Sequence, residues 1–147
     1  RWQRYVLRTM VPVDALIYSN KPNEDFQKSW EHTARILAGM KEECEKLGAK
    51  LVVASVVTKE QIIPGFLESR IPKGARDRDS FDGLYPSRRL GEILSEIDVP
   101  YIDLTDTFIK EQGAGTILYH EADLHWNATG HALAADIIWQ HLREMLK

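Results

Sequence analysis

The sequence predicts an α/β domain in three layers, with helices on both faces of a parallel sheet. Three observations predict it: a long stretch of helical period after Asn23, a continuous apolar run from Leu51 to Val57, and strands alternating with helices without a hairpin signal. A chain of 147 residues, 44% hydrophobic and 28% charged, has the size and composition of one domain with a core. Its net charge of −3 leaves no electrostatic footprint for nucleic acid, although Arg1 to Arg8 hold three arginines and no acid. No apolar run is long enough to cross a membrane, and a single cysteine, Cys44, excludes an internal disulfide.

Residues 1–22 read as an N-terminal arm. Within it Val13-Asp14-Ala15-Leu16-Ile17-Tyr18-Ser19 is a candidate short strand, because apolar residues sit between Pro12 and the Ser19-Asn20-Lys21-Pro22-Asn23 turn signals. From Asn23 or Asp25 the period changes. Phe26, Trp30, Ala34, Leu37, Met40, Cys44 and Leu47 recur at spacings of three or four and mark one helix face. Asn23 or Asp25 can cap that helix, and Gly48 stops it.

Leu51-Val52-Val53-Ala54-Ser55-Val56-Val57 does not alternate, so it reads as a strand buried on both faces. Residues 58–85 have no convincing period and carry Pro64, Gly65, Pro72, Gly74, Gly83 and the patch Arg76-Asp77-Arg78-Asp79. They read as a long loop leaving the C-terminal end of a parallel strand, where open α/β sheets place their ligands. Pro86 and Ser87 open a second helix through Leu90, Ile93, Leu94 and Ile97, which Asp98-Val99-Pro100 ends. Tyr101 to Leu104 forms a short strand, and Thr105 to Ile109 begins a short helix closed by Gly113-Ala114-Gly115. The last helix starts near Asn127 and buries Ala134, Ala135, Ile138, Leu142 and Met145, with Trp139 on its flank.

The chemistry concentrates just before that helix, at Tyr119-His120-Glu121-Ala122-Asp123-Leu124-His125-Trp126-Asn127-Ala128-Thr129-Gly130-His131. In an extended loop residues i and i+2 project the same way, so the Asp123 carboxylate can reach Nδ1 of His125 and leave Nε2 free to take a proton. An acid that orients a histidine base is part of a hydrolytic triad. Asn127 fits the N-cap of the last helix, and Gly130 a close-packing point in its first turn. His131 reads as a group supporting the pair or as a buried, hydrogen-bonded histidine. A zinc site from His120, Asp123, His125 and His131 matches none of the usual ligand spacings, so no metal or other cofactor is expected.

The block Asp-x-His-Trp-Asn-x-x-Gly-His followed by an Ala-rich helix resembles the C-terminal block of SGNH hydrolases, the GDSL-type lipases and esterases. Trp30-Glu31-His32-Thr33, Leu47 to Val53, Tyr85-Pro86 and Tyr101 to Leu104 extend the resemblance over roughly Asp14 to Leu142. It implies a flavodoxin-like parallel sheet, a serine nucleophile, His125 and Asp123 as the catalytic pair, and Trp126, Asn127, Gly130 and His131 as supporting residues. The Asp-x-His spacing is that of alginate O-acetylation proteins, which handle polysaccharide acetyl esters.

Two blocks of that family are absent: Gly-Asp-Ser, the source of the nucleophile, and a clear Gly-x-Asn-Asp. No serine follows His125, and Ser19, Ser29, Ser55, Ser69, Ser80, Ser87 and Ser95 lie in no nucleophile elbow. The nucleophile is therefore unknown. Residues 23–147 accordingly read as the C-terminal portion of an SGNH-like domain, a piece of a longer protein. Its parent is expected to hydrolyse or transfer an acyl group on a small-molecule or carbohydrate ester, in a bacterial cell envelope or secreted. The alternative is a catalytically silent module that binds a glycan or a partner protein. In either case the missing N-terminal half or a second copy is expected to cover the exposed sheet.

Overall fold

The computed structural model describes residues 11–73 and 81–147. The Arg1–Arg8 stretch, the Arg76–Asp79 patch and Ser80 lie outside the described residues. What is described is a mixed α/β domain with a small parallel sheet. Strand β1 (Val53–Ala54) pairs with β2 (Tyr101–Ile102), in the register Val53 to Tyr101 and Ala54 to Ile102. The helices are α1 (Glu24–Lys46), α2 (Lys59–Ile62), α3 (Phe66–Arg70), α4 (Tyr85–Glu96), α5 (Thr105–Gly113) and α6 (Ala128–Met145).

The strand expected at 13–19 is instead a 3₁₀ helix, Val13–Tyr18. Pro12 sits at φ −53° and its carbonyl accepts the Ala15 N–H at 2.9 Å, which starts the turn. Among the described residues only Ser19 of this stretch meets another segment in strand fashion, in an antiparallel bridge to Phe81. Helix α1 begins as its sequence requires, with Asn23 Oδ1 accepting the Phe26 N–H at 3.0 Å, and Gly48 closes it at φ +70°. Its apolar face is only partly seated: Phe26, Trp30, Ala34, Leu37 and Cys44 are half-buried, whereas Met40 and Leu47 are exposed.

The apolar run after Lys50 is not covered on both faces. Val57 is buried, but Val56 is 69% exposed, and among the described residues β1 has a single hydrogen-bonded neighbour. The segment read as loop 58–85 contains α2 and α3, each too short to display a period. The turn after α4 places Asp98 at φ 52°, where its amide bonds Ser95 O and the next amide returns to Leu94 O at 2.9 Å. In α6, Ala134 is buried and Ile138 packs on the core, but Ala135, Trp139 and Met145 are exposed.

The main core joins Val57, Ile62, Ile102, Leu104, Phe108, Leu118, Tyr119 and Ala134. It therefore lies where the segment after β1, the end of β2 and the segment that leads into α6 meet. A smaller cluster of Tyr18, Leu67 and Ile71 holds the 3₁₀ helix against α3.

Candidate functional site

The Asp123 to His125 segment rides on a loop whose two stems are tied together. Tyr119 and Trp126 form an antiparallel bridge, His120 N–H donates to His125 O at 3.0 Å, and Asn127 N–H donates to Leu118 O at 3.0 Å. Both stems are also tied to the segment that follows β1. The Tyr119 hydroxyl and the Trp126 indole N–H each donate to the Val57 carbonyl, both at 2.8 Å. The Trp126 ring packs on Phe108 with centroids 5.0 Å apart, and the Lys59 ammonium donates to His120 O at 2.7 Å.

Asn127 makes the helix entrance. Its Oδ1 accepts the Gly130 N–H at 3.0 Å, and its Nδ2 donates to Ile117 O at 2.8 Å. Gly130 packs against the Leu118 carbonyl with no room for a side chain. His131 is exposed and meets the Trp126 ring edge-on at 5.5 Å, so the buried alternative is set aside. At the first turn of α6 it points away from the core that Gly130 and Ala134 enter.

At the tip, Asp123 Oδ1 accepts the His125 main-chain N–H at 2.8 Å and lies 3.4 Å from His125 Nδ1. The His125 side chain is 84% exposed. The Asp123 carboxyl is held below its ordinary pKa, first by the His125 main-chain N–H and then by the imidazole. The geometry therefore turns one oxygen of the acid toward both the amide and the ring of the same residue. This arrangement leaves Nε2 on the far side of the ring.

The described serines are engaged elsewhere. Ser87 is buried and bonds Gln61 Nε2 at 2.7 Å and Thr105 Oγ1 at 3.2 Å. Ser55 meets the Tyr101 hydroxyl at 2.6 Å, while Ser29 and Ser69 bond carbonyls of their own helices. Ser19 accepts from Lys21 N–H, and Ser95 is exposed on α4. Among the described residues no cluster of three histidine, cysteine or acidic side chains is arranged to hold a metal. A cleft of about 350 Å³ between Glu60, Gln61, Gly65, Phe81 and Asp82 does not include the Asp123–His125 loop. Sequence reasoning missed Lys59 and the Val57 carbonyl, since neither has a motif and both act across more than sixty residues of chain.

A family model described as the SGNH hydrolase-like domain of acetyltransferase AlgX matches residues 18–147. The chain belongs to this family. No match is found among curated proteins or among solved structures. Membership of the SGNH hydrolase-like family assigns the domain a coarse esterase-like or acyltransferase-like function. The mixed helices and small parallel sheet agree with an SGNH-like α/β domain. No described helix is long and apolar enough to cross a membrane.

Proposed function

We propose that this domain supplies the base and its orienting acid for a serine-dependent acyl transfer or ester hydrolysis, with an O-acetylated carbohydrate as the substrate. The observation that carries the reading is the Asp123 Oδ1 to His125 Nδ1 approach of 3.4 Å on a loop tied to Val57, just after β1. In this mechanism a serine hydroxyl, brought by another segment of the parent protein or by another chain, attacks the ester carbonyl. His125 Nε2 takes the hydroxyl proton and returns it to the leaving alcohol, which departs as the acyl-serine forms. Asp123 keeps the proton of the neutral imidazole on Nδ1 and stabilises the imidazolium. Water or an acceptor hydroxyl then attacks the acyl-serine and loses its proton to His125, which passes it to the serine oxygen as the acyl–serine bond breaks and the acid or new ester leaves. Hydrolysis and transfer share these steps and differ only in the second nucleophile.

The finer architecture belongs to the same proposal. The exposure of Val56 just after β1, and a sheet of two strands among the described residues, support a doubly wound, three-layer sheet part of whose cover lies elsewhere. In this reading residues 23–147 are the C-terminal portion of the domain, and the missing half or a second copy covers the exposed side. Light scattering and sedimentation test that. A cooperatively melting monomer that binds no hydrophobic dye would count against it.

A silent module that binds a glycan or a protein is the second reading. It is favoured by the exposure of His125 and by the Asp123 oxygen lying closer to the amide than to the ring. An aryl acetate assay separates the two. The chain alone should show no more turnover than free imidazole. Joined to the segment encoded upstream it should hydrolyse the ester, and His125→Ala should lower the rate by about 10²–10⁴-fold. No turnover in the joined protein would leave the binding module. Activity of the chain alone that vanishes on changing one serine would reveal a nucleophile within it.

A further inference from the structure

Lys59 is only 8% exposed, yet among the described residues no carboxylate pairs with its ammonium; the neighbouring Glu60 is taken by Arg70. The ammonium stands 5.8 Å from the centre of the Tyr119 ring and 5.9 Å from that of Phe66, and donates to His120 O at 2.7 Å. Burying an ammonium is costly, and two ring faces with one carbonyl offset that cost only in part. Packing alone would be met more cheaply by methionine.

What the ammonium holds is the first residue of the Asp123–His125 loop. His120 is gripped twice: its carbonyl by Lys59, and its N–H by the His125 carbonyl at 3.0 Å. The side chains of Asp123 and His125 are exposed and contact each other rather than the body of the domain. The orientation of the pair is thus set by the main chain around it.

We propose that Lys59 is a positioning residue for Asp123 and His125, fixing the His120–Glu121 peptide so that the acid faces Nδ1. Its link to acyl chemistry rests on the function proposed above. Without the ammonium that peptide is free to turn, the His120 to His125 bond opens, and the acid and the ring lose their common frame.

Amide exchange and histidine NMR on the intact chain test this. In Lys59→Met, which keeps the apolar stem, the His120 N–H should exchange about tenfold faster or more, while the Asn127 N–H keeps its rate. The His125 ring signals, which respond to Asp123→Asn in the unmodified protein, should stop responding in the Lys59→Met background. Lys59→Arg should restore both, because a guanidinium can donate to the same carbonyl. Unchanged His120 exchange in Lys59→Met overturns the inference. In the unmodified chain the Lys59 ammonium should exchange slowly with water and show Overhauser contacts to the His120–Glu121 backbone. A solvent-like ammonium there overturns the inference without any variant. These readouts follow loop geometry and not turnover. An active protein whose loop ignores Lys59 defeats this inference alone, and a Lys59-ordered loop in a protein inert toward esters defeats the proposed function.

Discussion

Gly130 stands so close to Leu118 that a β-carbon added to it would lie 2.3 Å from the Leu118 carbonyl oxygen. Two effects oppose each other when this glycine becomes alanine. Helix preference favours alanine by about 1 kcal/mol, whereas overpacking against a close neighbour costs about 1–3 kcal/mol or more. The obstructing atom is main-chain and cannot swing aside, so overpacking wins. Gly130→Ala should lower the urea midpoint; a raised midpoint would mean that the start of α6 can shift freely.

Arg70 bridges two acids of very different exposure, Glu60 at 3% and Asp14 at 60%. Arg70→Ala leaves the Glu60 carboxylate buried without its cation, which should cost about 3–5 kcal/mol in chemical denaturation. Asp14→Ala breaks only the exposed arm and should cost less than about 1 kcal/mol. Equal losses would show that Glu60 is reached by water.

The Asp123 carboxyl titrates below its ordinary value, first because of the His125 main-chain N–H. His125→Ala retains that amide, so most of the depression should survive it in carboxyl-detected NMR. A depressed acid contributes stability at pH values above its unfolded pKa, about 3.9, and loses that contribution as pH falls through the lower folded value. A titration that returns to the ordinary value in His125→Ala would assign the effect to the ring instead.

Burial pushes the Tyr119 hydroxyl up to about 12, against a lowering by the neighbouring Trp126 indole N–H. Because the folded value is raised, the associated stability is complete below the unfolded pKa, about 10, and disappears as pH rises through the folded one. Burial raises Tyr18 and Tyr101 as well, so ultraviolet titration should show several tyrosines ionising late, and Tyr119→Phe should remove one of them. The same variant should lose about 1 kcal/mol at neutral pH, since Trp126 still satisfies Val57 O. A loss several times larger would mean that the two donors act as a unit.

Local signals were legible where the physics is local. Asn23 as a cap, Gly48 as a stop, Asn127 at the entrance to α6 and Gly130 in its first turn all depend on atoms within a few residues. Exposure was not legible, because it depends on what covers a face. Met40 and Ala135 carry the right period and Val56 sits in the apolar run, yet all three are open to solvent. Val13 to Tyr18 had strand composition, but among the described residues no strand lies beside it to bond, and the turn at Pro12 prevailed. Within the candidate site, sequence spacing brought Asp123 and His125 together on one loop. It contained nothing about Lys59, whose contact with His120 spans 61 positions.

The shared acceptor of Tyr119 and Trp126 is a main-chain oxygen, and every amino acid brings one. Position 57 can therefore drift among residues that fill the core without ever losing the anchor that its carbonyl provides. The two donors have no such freedom, because a hydroxyl and an indole are side-chain groups that a single substitution deletes. The mount is thus robust at position 57 and fragile on the loop. Libraries aimed at re-shaping the loop should leave 119 and 126 fixed while treating 57 as open to any well-packed aliphatic residue.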